Sequence, residues 1–452
     1  MLRWLFDFFK TSERPVSGKV FASSPASTEA ALPPPFLRRE SILDRSQLVA
    51  AYIFSAETPA AMHAHTWHAA SRKLFDSVLI DHFASDKLAS VLGKRLAFLP
   101  LGPDGLYHPR LEQLPKHNLV IEFDPPAGAE FDLDATLERL IALKGIGFKL
   151  ACGHNLAERG LPKALELADY ISLGDVASQD PPDLLARCRD LAIRYPKCHL
   201  LARNIDSTEL YQACQKMGID LFQGSFLTHR TPSTTNKTSP YRVFVVELLN
   251  AIKRQDDYGD LAGIAWRDPV LAYRLLRFVN SAAFGLRVKI DRLRHAMAYV
   301  GRDELYRWLT LLLFSNKVHN PLDDALRENA LVRARLAEKL AEGRMTRKEC
   351  DEVFVVGILS VIDALMQMTM QDALAQLSLP EAVADALLRQ EGKYAPYLKL
   401  AIACEEDDQE RIRVLAIACD IDATLVNQRH IDALVWTMSF NESLEDSMMA
   451  PE

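Results

Sequence analysis

The segment THRTPSTTNKTSP, residues 228–240, constrains the fold most, because it separates two stretches whose apolar residues repeat with different periods. Before it, LVAAYIF, NLVIEF, GFKLAC, DYISLG and HLLARN each give a brief apolar core suited to a buried parallel strand. Helical patterns lie between several of them, so an α/β barrel is the economical architecture. After it, FVVELLNAIK, DPVLAYRLLRFVN, ELYRWLTLLLF, ALVRARLAEKLAE, VFVVGILSVIDALMQ and PEAVADALLRQ carry helical spacing with breaks between them. An all-α bundle is expected there. The predicted organisation is an N-terminal helix and flexible linker at 1–40, a barrel at 41–230, a linker at 231–240, a helical domain at 241–440 and a tail at 441–452.

Bulk properties narrow the classes of function. A length of 452 residues suggests two or three units of ordinary domain size. A net charge of -7 and a pI near 6.0 argue against a general nucleic-acid binder, which carries a basic field. Seven scattered cysteines without a C-x-x-C pair read as reduced thiols, and no apolar run reaches the ~18 residues that span a bilayer. A cytoplasmic protein is expected. In MLRWLFDFFK, Leu2, Leu5, Phe6 and Phe9 would share one helical face. A short helix packed on its own domain is the plain reading, with membrane-surface contact as the lesser alternative.

The stretch RDPVLAYRLLRFVNSAAFGLRVKIDRLRHAMAYVG, residues 267–301, has the clearest local physics. Asp268 before Pro269 is a helix start: the carboxylate accepts an orphan N–H, and proline at the first position gives up no useful donor. Leu271, Leu275, Phe278 and Val279 then share a face that packs, while Arg274 and Arg277 project from the other side. Asn280, Ser281 and Gly285 break the pattern before a helix near Leu293. NSAAFG resembles the signature of an HDOD domain, a helical regulatory module related to HD phosphohydrolases, and the likeness continues through GILSVIDALM and SLPEAVADALLRQEGKYAPYLKLAIACEEDD. Where catalytic HD relatives carry a His-Asp doublet, this chain has Ser360 and Val361. The resemblance therefore implies a regulatory surface without metal, with Arg274, Arg277, Asn280 and Ser281 as interaction candidates.

The first half resembles EAL domains, the TIM-barrel-like proteins known for hydrolysing cyclic di-GMP. SILDRSQLVAAYIF corresponds to the family's opening strand and GIDLFQGSF to its closing strand. Metal-assisted phosphodiester hydrolysis needs clustered carboxylates to hold divalent cations and activate water. Ile53 stands at the signature glutamate, Gly153 and His154 at the paired aspartates, Ser172 and Gly174 at the lysine and aspartate of the next strand, and Arg203 at a later glutamate. Glu122 is the one remnant carboxylate of that set.

The plain reading of His63, His65 and His68 is polar surface, and His154 beside Cys152 lacks the orienting acid that nucleophilic catalysis requires. The expectation is a chain with no catalytic residues, no cofactor and no enzymatic activity. It would act as a protein-interaction regulator or scaffold among signalling proteins, linked to cyclic di-GMP control of motility or biofilm. A noncatalytic cyclic di-GMP receptor built on the barrel is the alternative.

Overall fold

The computed structural model describes residues 36–57, 69–84, 92, 95–125, 129–227, 240–280, 289–314, 321–406 and 409–449. Eight strands close a barrel in sequence order: β1 (Phe36–Asp44), β2 (Val49–Glu57), β3 (Leu96–Pro100), β4 (Leu119–Phe123), β5 (Lys149–Gly153), β6 (Tyr170–Asp175), β7 (His199–Arg203) and β8 (Leu221–Gln223). The barrel starts at Phe36, so residues 36–40 belong to it and not to the expected linker. SILDRSQLVAAYIF is an antiparallel hairpin, not one parallel strand. Asp44 makes the turn: its Oδ1 accepts the Ser46 and Leu48 backbone N–H groups at 2.8 and 3.0 Å, and Gln47 takes φ 66°. From β2 to β8 the strands run parallel.

Alternation along each strand sorts the side chains. Ile42, Ala51, Ile53, Phe98, Val120, Ala151, Tyr170, Leu201 and Leu221 fill the barrel, while Leu37, Leu43, Tyr52, Phe54, Leu99 and Ile121 face the outer layer. Helix α1 (Ala69–Ala84) packs outside β2. No helix follows β1, because a four-residue turn leads directly into β2. Its outer face is covered instead by the helical half. Helix α2 (Pro321–Ala341) lies against β2, and α3 (Ala395–Glu406) and α4 (Ala423–Met449) against β1. Ala325, Ile431 and Met438 from the helical half join the barrel's outer core. Helix Ala423–Met449 also runs through most of what sequence alone reads as a tail.

The rest of the helical half is built as its periodicity predicts, with one break. VFVVGILSVIDALMQ forms two helices, Arg347–Leu359 and Ile362–Met366, because the Ser360 hydroxyl donates to the Gly357 carbonyl at 2.7 Å and ends the first. No described helix is long and apolar enough to cross a membrane. The N-terminal amphipathic segment, His63, His65, His68, Ser281 and Gly285 lie outside the described residues.

Candidate functional site at the barrel mouth and the helix before Asn280

Two residues beyond the inner apolar cluster, the same alternation brings a ring of side chains to the C-terminal mouth: Glu122 follows Val120, Ser172 follows Tyr170, Arg203 follows Leu201 and Gln223 follows Leu221. Glu40 arrives from the antiparallel β1, in register with Ile53. Ile53 is part of the inner apolar packing.

Glu122 is fully buried, and Arg203 donates to its Oε2. Among the described residues its Oε1 has no hydrogen-bond partner. Burial pushes the Glu122 carboxyl above the usual range, opposed by the Arg203 guanidinium. Asp124, two residues on, is also pushed up, first by burial, with Arg203 and His154 acting against it. Sequence reasoning missed Asp124. The signal was present, since alternate residues of a strand face the same way and LVIEFD places the two carboxylates two apart.

Gly153 is open space kept for Asp124: a Cβ there would stand 2.0 Å from Asp124 Oδ1. His154 is half-buried, with Nδ1 3.2 Å from the Ser172 carbonyl oxygen, and burial lowers its pKa. Gly174 takes φ 68° just past buried Ser172, whose hydroxyl accepts the Gly174 N–H at 3.4 Å. Gln223 closes the ring, donating to Glu40 and accepting the Asn204 N–H at 3.2 Å.

This ring offers a guanidinium to an anion and two carboxylates of raised proton affinity. It does not fit a divalent cation held as the sequence resemblance implies. Ile53, Gly153 and Gly174 bring no carboxylate, Arg203 brings like charge, and among the described residues no three His, Cys, Asp or Glu side chains stand together as a metal site.

In the helical half, Asp268 caps the helix Pro269–Val279, its Oδ1 accepting from Val270 and Leu271 N–H at 2.9 and 3.4 Å. Leu271, Leu275, Phe278 and Val279 are buried as expected. Two interaction candidates make contacts within the helical half. Arg274 is half-buried and donates to the Tyr241 hydroxyl at 3.2 Å. Asn280 turns its amide inward, donating to the Leu276 and Ile290 carbonyls at 2.9 and 2.7 Å and accepting the Ile290 N–H at 2.7 Å. It ties Leu276 to Ile290. Arg277 is exposed; Val270 and Tyr273, on the same face of its helix, and Trp266, at the end of the preceding helix, were not singled out from sequence.

At the doublet position, Ser360 Oγ accepts from Arg333 at 2.8 Å, while the same guanidinium grips Glu405 at 3.0 and 2.6 Å. Glu405 is therefore paired with a largely buried cation.

A closed eight-stranded barrel is followed by a helical half, and the helical half contains an HDOD domain, matched over residues 241–391. The chain is similar to the cyclic di-GMP phosphodiesterase CdgJ of Vibrio cholerae, 26% identical over 242 residues covering 53% of this chain and 56% of the relative. It is also similar to the uncharacterized protein YuxH of Bacillus subtilis, 27% identical over 240 residues covering 52% and 58%. The chain thus spans a little over half the length of these curated relatives.

Among solved structures, the FimX EAL domain of Pseudomonas aeruginosa bound to c-di-GMP is 15% identical, covers 43% of this chain and 89% of that one, and has a TM-score of 0.34. The name of the Vibrio relative overturns the expectation that the chain is no enzyme. The substituted positions alone do not carry that conclusion, because Asp124 adds a mouth carboxylate that was not counted.

Proposed function

We propose that this is a cyclic di-GMP-linked signalling protein whose helical half captures a partner protein. The observation that carries the reading is a stripe of exposed apolar side chains. Val270 and Tyr273, three apart on the helix Pro269–Val279, are 38% and 63% exposed, and Trp266, which ends the preceding helix Tyr258–Trp266, is 58% exposed. Arg277 follows Tyr273 four residues on. Large aromatics left in water beside a cation are the composition of an interaction hot spot.

The partner that fits is an amphipathic helix of another signalling protein with an acidic edge: its apolar face would cover Trp266 and Tyr273 and its carboxylates would meet Arg277. The HDOD domain and the name of the Vibrio relative support the signalling link. Cyclic di-GMP is the ligand proposed for the barrel, because Arg203 stands at the mouth with a forked donor suited to phosphate.

The test is affinity capture with the intact chain, the Tyr273→Ala variant and the Arg277→Glu variant, followed by titration of the captured protein's helical segment as a peptide. Both variants should lose the partner while keeping wild-type circular dichroism. An unchanged set of captured proteins contradicts the surface, and a peptide that binds all three chains equally contradicts the charge pairing.

A further inference from the structure

The hairpin β1–β2 faces two ways. Glu40 and Ile53 point into the barrel, where Glu40 accepts from Gln223 at the mouth. Their chain neighbours Arg39 and Tyr52 point outward, and both are gripped by one residue of the helical half, Glu328 on α2. The Tyr52 hydroxyl donates to Glu328 Oε2 at 2.7 Å, Arg95 Nη1 donates to Oε1 at 2.8 Å, and Arg39 Nη1 lies 3.8 Å from Oε2 with its guanidinium 4.4 Å over the Tyr52 ring. Glu328 is fully buried, and the Arg39 side chain is 2% exposed. On the other side of the hairpin the Leu37 N–H donates to Asn427 Oδ1 at 3.1 Å.

The grip continues along α2. One turn past Glu328, Arg333 binds Glu405 and Ser360. Farther on, Glu338 accepts from both Arg307 and Arg335 at 2.7 Å. A buried carboxylate cannot surrender its donors without leaving charge in a low-dielectric interior, so a shift of the hairpin either stops or carries α2 with it. A contiguous set of such contacts is one route by which distant parts are coupled.

We infer that the Glu328 clamp is a mechanical link by which the state of the barrel mouth is read in the helical half through α2. This goes beyond the partner-capture reading and does not depend on it.

Amide hydrogen exchange of the full chain tests the link without any ligand. Glu40→Ala disturbs the mouth. Exchange should rise severalfold in the β1–β2 hairpin and also within 321–341. In the Glu328→Gln background, Glu40→Ala should still act on the hairpin and no longer on 321–341. Tyr52→Phe, which removes one hydroxyl and keeps the ring, is the parallel variant and should weaken the transmitted effect. The link is overturned if the Glu40→Ala response stops at the barrel with Glu328 in place, or reaches 321–341 equally with and without Glu328 or the Tyr52 hydroxyl.

Discussion

The residues that decide this protein's behaviour are polar groups held where water does not reach. Glu122 and Glu328 are both fully buried, yet the fold moves them in opposite directions: one arginine leaves Glu122 raised, whereas Arg95 and Arg39, with the Tyr52 hydroxyl, overcome burial and hold Glu328 below the usual range. Removing one partner of such a buried pair costs on the order of 3–5 kcal/mol. His430 on α4 is the acid-sensitive member of this contact. Burial first, then the Arg39 cation, push its pKa down to about 3, against a hydrogen bond with the Leu37 backbone.

A folded value below the ordinary 6.5 means the unfolded chain takes up the proton first, so the stability present above about pH 6.5 is lost as pH falls toward 3. At ~1.4 kcal/mol per unit, this one group removes about 2 kcal/mol between pH 7 and 5. Asp76, pushed up to about 6 by burial, works the other way. Denaturant melts of wild type and His430→Gln across that range separate the two: wild type should lose about 2 kcal/mol more than the variant. Parallel pH slopes would contradict this placement of His430.

At the scale of elements, β4 to β7 are legible as five- or six-residue apolar runs, and the Asp268–Pro269 helix start is legible from two residues. β1 is not. FLRRESILD sets four consecutive polar residues, Arg38 to Ser41, between two apolar pairs, which in sequence resembles a wet loop. In the fold Glu328 supplies counter-charge to Arg39 of β1 from far along the chain, as it does to the Tyr52 hydroxyl of β2, 276 positions before it. The mouth was half legible for the same reason: positions on strands are local, but the Glu122–Arg203 pair needs barrel closure across 81 residues.

Helix packing supplies an element-level prediction. Gly357 lets helix Arg347–Leu359 meet α2 closely; a Cβ there would sit 2.3 Å from Ala334 Cα, a backbone atom that cannot swing aside. Gly357→Ala should therefore destabilise the helical half by about 2 kcal/mol or more, at the upper end of overpacking costs. Thermal unfolding followed by circular dichroism checks it, and an unchanged midpoint would show that the two helices separate more easily than their packing indicates.

For the whole molecule, the tight turn after β1 leads straight into β2, and the helical half lays two helices against β1 and a third against β2, so the two parts share a core as well as a clamp. A ligand at the mouth and a partner on the Trp266–Tyr273 face would then act on one body, each changing the other's affinity by the same factor. The division at 228–240 that organises the sequence is a boundary of periodicity, not of stability.

The most direct measurement is amide hydrogen exchange of the intact chain with and without cyclic di-GMP, read at the mouth strands and at 321–341 together. The expected result is slower exchange at β4, β7 and β8 accompanied by a change within 321–341 that Glu328→Gln abolishes. Protection confined to the barrel, or no protection at saturating ligand, would contradict it.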